Sequence, residues 1–557
     1  MADASPPDAS PPDAAAPPVC EDVVAERSLL LVSSTLAAGR LGLNRASTGE
    51  DILGPSGSPV VDPAAPLQPT LTLHDRPNGF DLEIVYENGT GLAQPLGMLT
   101  LRGLKLDAPR IVRRTFRDAS TSTVPWISAD PEVVTFPSLA APACADFCYI
   151  GPTSYPRGMY SPLTVLSDTR YHVGIALHYP LLEYRHSVMF DLKSESVAGD
   201  PTRRAYWLDL VFPDAGAAFE DGVLAAGATR SYTLAVRVVP SSENWLHTVV
   251  PYRNSFRSLY GGVRYERDPR PVVGALTAFG ELCAADNPYG MLPPNRADVH
   301  GWSPWVDETL TALTEGYRRA MLWTPTGVYC TNRQHNYPSQ FMTQMLAVPM
   351  MRDTQDELLR IPQAGLDSGF WWGRATKVMR SWDVGESVPL NPEDAEHVAL
   401  AYAELDRAVA LGATTIGLDA FADEQGDWMG YEWLQALQSR TPGVKFVTEA
   451  FTSDLVHSLA PTFTEAAPYR GPHELADFLL PGNEIWGQVR YDQAFPNDPQ
   501  WFNRDNLDRQ AEIARTASIG MVPAVMHDST TLLSSYEAAE TWRATIPVEL
   551  QGPCEGR

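Results

Sequence analysis

At 557 residues the chain is too long for one core, and about two to four domains are expected. A composition of 44% hydrophobic and 20% charged residues is that of a globular protein, and no apolar run reaches the roughly 18 residues that a membrane helix needs. The 42 Lys and Arg against 68 Asp and Glu give a net charge of -26, which speaks against a polyanion such as nucleic acid and for a neutral or cationic partner.

Residues 1–24, which open "MADASPPDASPPDAAAPPVC", cannot bury a core and read as a disordered tether. Such tethers follow a cleaved signal or a lipid-modified Cys in exported bacterial proteins, so the expected location is secreted, periplasmic or lipid-anchored at the cell surface. The cysteines (Cys20, Cys144, Cys148, Cys283, Cys330, Cys554) are even in number, lack metal-ligand spacing and leave disulfide pairing open.

From residue 25 to 241 the pattern is that of strands. "GFDLEIVY" alternates Phe80, Leu82 and Ile84, "YHVGIALHY" alternates Val173, Ile175 and Leu177, and "RSYTLAVRVV" alternates Tyr232, Leu234, Val236 and Val238. Many period-two strands with little helix imply an antiparallel β-sandwich. Residues 242–268 read as a helical connector.

Residues 269–557 change period: short apolar strands alternate with helices, the signature of parallel βα units. Strands are expected at 271–279, 318–325, somewhere within 370–382, at 414–419 ("TTIGLD"), 444–449 ("VKFVTE"), 476–481 ("ADFLLP"), 521–528 ("MVPAVMHD") and 544–550 ("ATIPVEL"). Eight such units predict a (β/α)8 barrel. The helix before the fourth strand is expected to take Asn391 as its cap and Pro392 as its first residue, with Val398, Tyr402, Leu405 and Val409 on one face. A doubly wound open sheet would need a Gly-rich phosphate turn, and none is present.

A parallel barrel carries its active site at the carboxyl ends of the strands. Asp419, Glu449 and Asp528 each end an apolar run there, at the expected strands four, five and seven. Neighbouring strands lie roughly 4.8 Å apart, so carboxyls from strands four and five can approach the about 5–5.5 Å of a retaining glycosidase. The shorter, better solvated Asp419 is then the nucleophile. Glu449, whose protonated form is favoured by burial and a neighbouring negative charge, is the general acid/base.

Position nominates the sugar contacts: Trp323 on strand two, Trp371, Trp372 and Arg374 around strand three, Phe421 and Asp423 after strand four, Trp486 after strand six, and Asn332, Arg333 and His335 in the loop "YCTNRQHNYPSQF". No zinc, nucleotide or serine-hydrolase motif occurs, and the proposed chemistry needs no cofactor; Asp423 and Asp427 are the acids considered for a structural calcium.

A sandwich followed by a barrel with Asp, Glu and Asp at strands four, five and seven resembles the retaining α-glycosidases of the α-amylase-related clan, and among them the endo-α-N-acetylgalactosaminidase branch. "IGLDAF" and "KFVTEAF" are similar to that branch's nucleophile and acid/base strands, and residues 27–53 are similar to the first hairpin of galactose-mutarotase-like supersandwich domains. "VMHD" resembles the strand-seven His-Asp pair of α-amylases, which implies that His527 and Asp528 meet sugar hydroxyls. Amylases carry an Arg two residues before the nucleophile, where this chain has Gly417. Two other readings stay open: an α-galactosidase-type barrel pairing Asp419 with Glu484 from strand six, and a carbohydrate-binding surface protein without catalysis. An oligosaccharide or glycoconjugate is the expected partner in each; the sequence leaves oligomeric state undetermined.

Overall fold

The computed structural model describes residues 26–550 apart from 54–57, 62–63, 107–111, 115–146, 157–158, 198, 213–221, 277–284, 292–295, 315, 324–328, 332–333, 337–347, 374, 382–385, 422–427, 450–452, 465–473, 490–512, 515, 518–519 and 527–549. Cys20, Cys144, Cys283 and Cys554 therefore lie outside the described residues.

The N-terminal strands form two main antiparallel sheets, beside a three-stranded one of Val32–Ala37, Arg40–Arg45 and Ser58–Pro59. The larger runs in the order Thr70–Arg76, Gly79–Glu87, Thr229–Pro240, Tyr171–His178, Leu163–Ser167, Val112–Arg114; the smaller runs Met98–Leu106, Asp200–Val211, Val188–Val197, Phe147–Tyr155. Tyr232, Leu234 and Val236 pair with Ile84, Leu82 and Phe80, so the apolar faces of the two strands coincide. Phe212, which leaves the smaller sheet, packs its ring 6.4 Å from Tyr86 and 5.0 Å from Tyr232 of the larger one, and this closes the sheets face to face.

The connector is a 3-10 turn, Trp245–Val249, capped by the Asn244 side chain, which accepts from the Leu246 N–H, and a helix, Val250–Tyr260. Beyond it eight parallel strands close a barrel: Val272–Leu276, Arg319–Trp323, Asp367–Trp372, Ala413–Leu418, Lys445–Glu449, Thr462–Thr464, Ile485–Val489 and Val522–Met526. They are called strands one to eight below.

This order corrects the sequence reading in three places. Residues 476–481, expected as strand six, belong mostly to the helix Glu474–Leu479, and Leu475, Ala476, Phe478, Leu479 and Leu480 are all buried. A short apolar run buried on every side carries no period that separates helix from strand. Strand six is instead the three-residue Thr462–Thr464, so residues 521–528, expected as strand seven, contain strand eight. Of residues 544–550, expected as strand eight, 544–549 lie outside the described residues. Strand three starts at Asp367, ahead of the expected window, and Lys377–Ser381 pairs with Glu386–Pro389 as a separate hairpin.

The helix before strand four is Ala395–Ala410, capped by Asp394 rather than Asn391. Asn391 closes a preceding turn by accepting from the Glu393 N–H, and Asp394 then accepts from the Glu396 and His397 N–H groups. The helix buries His397, Ala401, Glu404, Leu405 and Ala408, while Val409 is on the exposed side.

Alternate strand residues separate into two cores. Val272, Met321, Trp323, Trp371, Val447, Phe463, Trp486, Val522 and Ala524 fill the barrel interior. Leu322, Phe370, Trp372, Ile416, Leu418 and Phe446 face the helices, in a cluster continuous with the sandwich core.

Candidate active site

Strands four and five pair Gly417 with Val447 and Leu418 with Thr448. One further rung sets Asp419, which follows Leu418, beside Glu449, the last residue of strand five. Val447 faces the barrel interior, and a Cβ on Gly417 would run into the interior Trp371 ring; two residues on, Asp419 and Glu449 share that inward parity. Both are half-buried at the carboxyl rim.

The backbone around Asp419 is fixed by strand three: its N–H donates to the Trp372 carbonyl at 3.0 Å, and its carbonyl accepts from the Ala375 N–H at 3.3 Å. The next residue, Ala420, is left-handed with φ 54°. Its N–H donates to Oε2 of Glu449 at 3.1 Å. A non-Gly residue in this region costs about 1–2 kcal/mol and marks a turn held by its surroundings. The turn ties the peptide just after one acid to the carboxylate of the other.

Below this rung lies an aromatic floor. Trp323, Trp371 and Phe463, from strands two, three and six, have ring centroids 4.3, 4.9 and 5.0 Å apart. Two glycines make room for the tryptophans: a Cβ on Gly417 would stand 1.9 Å from Cε3 of Trp371, and one on Gly274 would stand 1.9 Å from Nε1 of Trp323. This accounts for Gly417 where the amylase pattern has Arg, since no side chain fits there beside Trp371.

The remaining sequence candidates divide sharply. Trp372 and Phe421 are fully buried in the outer core and present no face to a ligand; Trp372 has the opposite parity to the inward Trp371, and Phe421 lies beyond the end of strand four. Trp486, expected after strand six, is the second residue of strand seven, inside the barrel toward its amino end. His335 lies on the hairpin Tyr329–Thr331 and Gln334–Asn336 after strand two. Asp528 and His527 follow strand eight, not strand seven, and lie outside the described residues with Arg374, Asp423, Asp427, Asn332 and Arg333.

Glu484 immediately precedes strand seven and so sits at the amino end of the barrel, opposite Asp419. It is completely buried and ion-paired with Lys445, the first residue of strand five, and with Arg319, the first of strand two, at 3.4 Å. Its Oε2 accepts the Asp268 N–H at 2.9 Å and its Oε1 accepts the Trp486 Nε1–H at 2.6 Å. Burial lowers the Lys445 ammonium, partly offset by the Glu484 charge. These partners all come from strand beginnings, which in a barrel serve stability. An open depression of about 890 Å³ lined by Arg264, Arg267, Arg270 and Lys445 opens at this same end, away from the two acids. The pairing of Asp419 with Glu484 is overturned by this placement.

Two contributors escaped the sequence reading. Phe463 sits on a strand too short to show a period, and the Ala420 N–H belongs to a residue type with no chemistry to notice; its left-handed backbone has no signal in the sequence.

No family model matches the chain, and no curated protein does. Among solved structures it is similar to an α-galactosidase from Thermus thermophilus in complex with stachyose, at 11% identity over 86% of this chain and 99% of that one, with a TM-score of 0.41. It is also similar to a β-arabinopyranosidase (12% identity, 75% of this chain and 65% of that one, TM-score 0.33) and to a cyclic α-maltosyl-(1→6)-maltose hydrolase from Arthrobacter globiformis (11%, 49% and 75%, TM-score 0.29). These are glycoside hydrolases. At such values the likeness transfers no residue correspondence to this chain.

Proposed function

We propose that the chain is a retaining glycoside hydrolase of α-linked glycans, with Asp419 as nucleophile and Glu449 as general acid/base. The observation that carries this reading is the shared rung of Asp419 and Glu449, with the Ala420 N–H bonded to the Glu449 carboxylate. Acids on adjacent parallel strands stand at about the 5–5.5 Å of double displacement, too close for the attacking water of an inverting enzyme. Asp419 attacks the anomeric carbon while Glu449 gives its proton to the departing glycosidic oxygen. Glu449 then takes a proton from water, whose oxygen displaces Asp419 and restores the first configuration.

The floor of Trp323, Trp371 and Phe463 supplies the apolar surface on which a pyranose C–H face rests. Arg374, Asp423, Asn332, Arg333, His335, His527 and Asp528 are proposed to meet its hydroxyls, from their places in the chain after strands two, three, four and eight. The α-linkage, the kinship with endo-α-N-acetylgalactosaminidases and mutarotase-like sandwiches, and an exported location rest on the sequence resemblance and the N-terminal composition.

A second reading gains from the corrected strand order. Strand six ends at Thr464, so an acid supplied by strand six would be the next residue in sequence, Glu465. Turnover by Asp419→Asn, Glu449→Gln and Glu465→Gln on a panel of aryl α- and β-glycosides separates the two. Loss of about 10³-fold or more in the first two variants, with Glu465→Gln within about tenfold of the parent, is expected. Full loss in Glu465→Gln with turnover kept in Glu449→Gln gives the role to strand six. Glycan binding without release of reducing sugar by the parent contradicts catalysis altogether.

A further inference from the structure

The short helix Asp454–His457 begins five residues after Glu449, and its first side chain is completely buried. Oδ1 of Asp454 accepts the Tyr155 hydroxyl at 2.8 Å; Oδ2 accepts the Ser161 and Tyr252 hydroxyls, each at 2.6 Å. Its backbone N–H donates to the Tyr160 carbonyl at 2.8 Å. Tyr155 ends a strand of the smaller sandwich sheet, Ser161 precedes a strand of the larger one, and Tyr252 lies on the connector helix. One turn on, Nδ1 of His457 meets the Tyr160 hydroxyl at 2.8 Å, and its Nε2 meets the Glu484 carbonyl at 3.2 Å. Every side chain in this set is buried. Three hydroxyls aimed at one carboxylate leave it little freedom to move, because each displaced donor would be stranded without water.

We propose that Asp454 is a positioning residue: through it the sandwich fixes the end of the segment that carries Glu449, so that the proton donor of the barrel depends on the neighbouring domain. This rests on the assignment of Glu449 as acid/base. Only the few residues 450–453 separate the anchored helix from strand five. Glu449 is thereby held at both ends, by the Ala420 N–H at its carboxylate and by the sandwich beyond its backbone. A misplacement of about 1 Å in such a group costs on the order of 100-fold in rate.

The test uses the dependence of rate on the leaving group in the full chain. A displaced general acid hurts a glycoside with a poor leaving group and spares one that departs unaided, whereas a general loss of folded protein lowers both alike. Asp454→Ala is expected to reduce kcat/KM on phenyl glycosides at least about tenfold more than on 2,4-dinitrophenyl glycosides of the same sugar. Tyr252→Phe and Ser161→Ala, which each remove one donor, show the same difference at smaller size and stand in if Asp454→Ala does not fold; Asp454→Glu recovers part of the loss. Equal reductions on both substrates, or none, overturn the positioning role while leaving Glu449 as acid. Absence of hydrolysis by the parent overturns the enzyme reading and this inference with it.

Discussion

Glu449 and Glu484 are the same side chain at opposite ends of the barrel, one ending strand five and the other preceding strand seven, and their surroundings separate their roles. Glu449 is half-buried at the carboxyl rim, where a substrate can reach it; Glu484 is sealed among Lys445, Arg319, Trp486 and the Asp268 N–H. Removing Glu484 leaves the part-buried Lys445 without its ion-pair partner and the buried Arg319 with Asp268 alone, a loss of about 3–5 kcal/mol. Glu484→Ala is therefore expected to lower the unfolding midpoint in denaturant strongly while turnover per folded molecule stays within about threefold; Glu449→Gln does the reverse. Denaturant titration alongside active-site-normalised rates reads both.

At the scale of elements, the barrel interior is built by pairing large with small. Gly417 opposes Trp371, and Gly274 opposes Trp323, so the rings close the barrel directly below the acids. Gly417→Ala is expected to destabilise by about 1–3 kcal/mol through overpacking, and Trp371→Leu in the same chain to recover part of that, as measured by a double-mutant cycle. Strands four and five were legible in the sequence because each is an apolar run stopped by one acid; the cap of the helix before strand four was not, because Asn391 and Asp394 both offer a capping side chain. Strand six was not, because "TFT" is too short to show alternation, and the buried helix Glu474–Leu479 is too short to show a helical period. That single displacement moved every later strand by one and set Glu484 and "VMHD" at the wrong places. The contacts that hold Glu449, from Ala420 and through Asp454, depend on backbone geometry and on residues some 200 to 300 positions apart, which local pattern does not encode.

At the scale of the molecule, sandwich, connector and barrel share one continuous core, and Tyr155, Tyr160, Leu246 and Tyr252 lie buried in it. The barrel expressed from residue 242 onward exposes that face and is expected to be insoluble or to lack a cooperative unfolding transition in calorimetry. The junction also carries a pH signature. Burial raises the Asp454 carboxyl to about 6 from its ordinary 3.8, against the pull of its three hydroxyl donors. The folded form thus holds a proton that the unfolded chain releases. The contribution is fully present below about pH 4 and is lost as pH rises through about 6, a change of roughly 3 kcal/mol. The stability of the parent relative to Asp454→Asn is expected to fall between pH 4 and pH 7; a difference independent of pH contradicts that titration.

The most direct measurement of the central claim is to map, by mass spectrometry, the residue that becomes covalently attached when the protein is treated with α-configured cyclitol aziridines, which trap the nucleophile of retaining α-glycosidases. Attachment to Asp419, abolished in Asp419→Asn and with the first-formed sugar anomer retained by NMR, is the predicted result. Attachment to any other acid, or hydrolysis with inversion and no attachment, contradicts it.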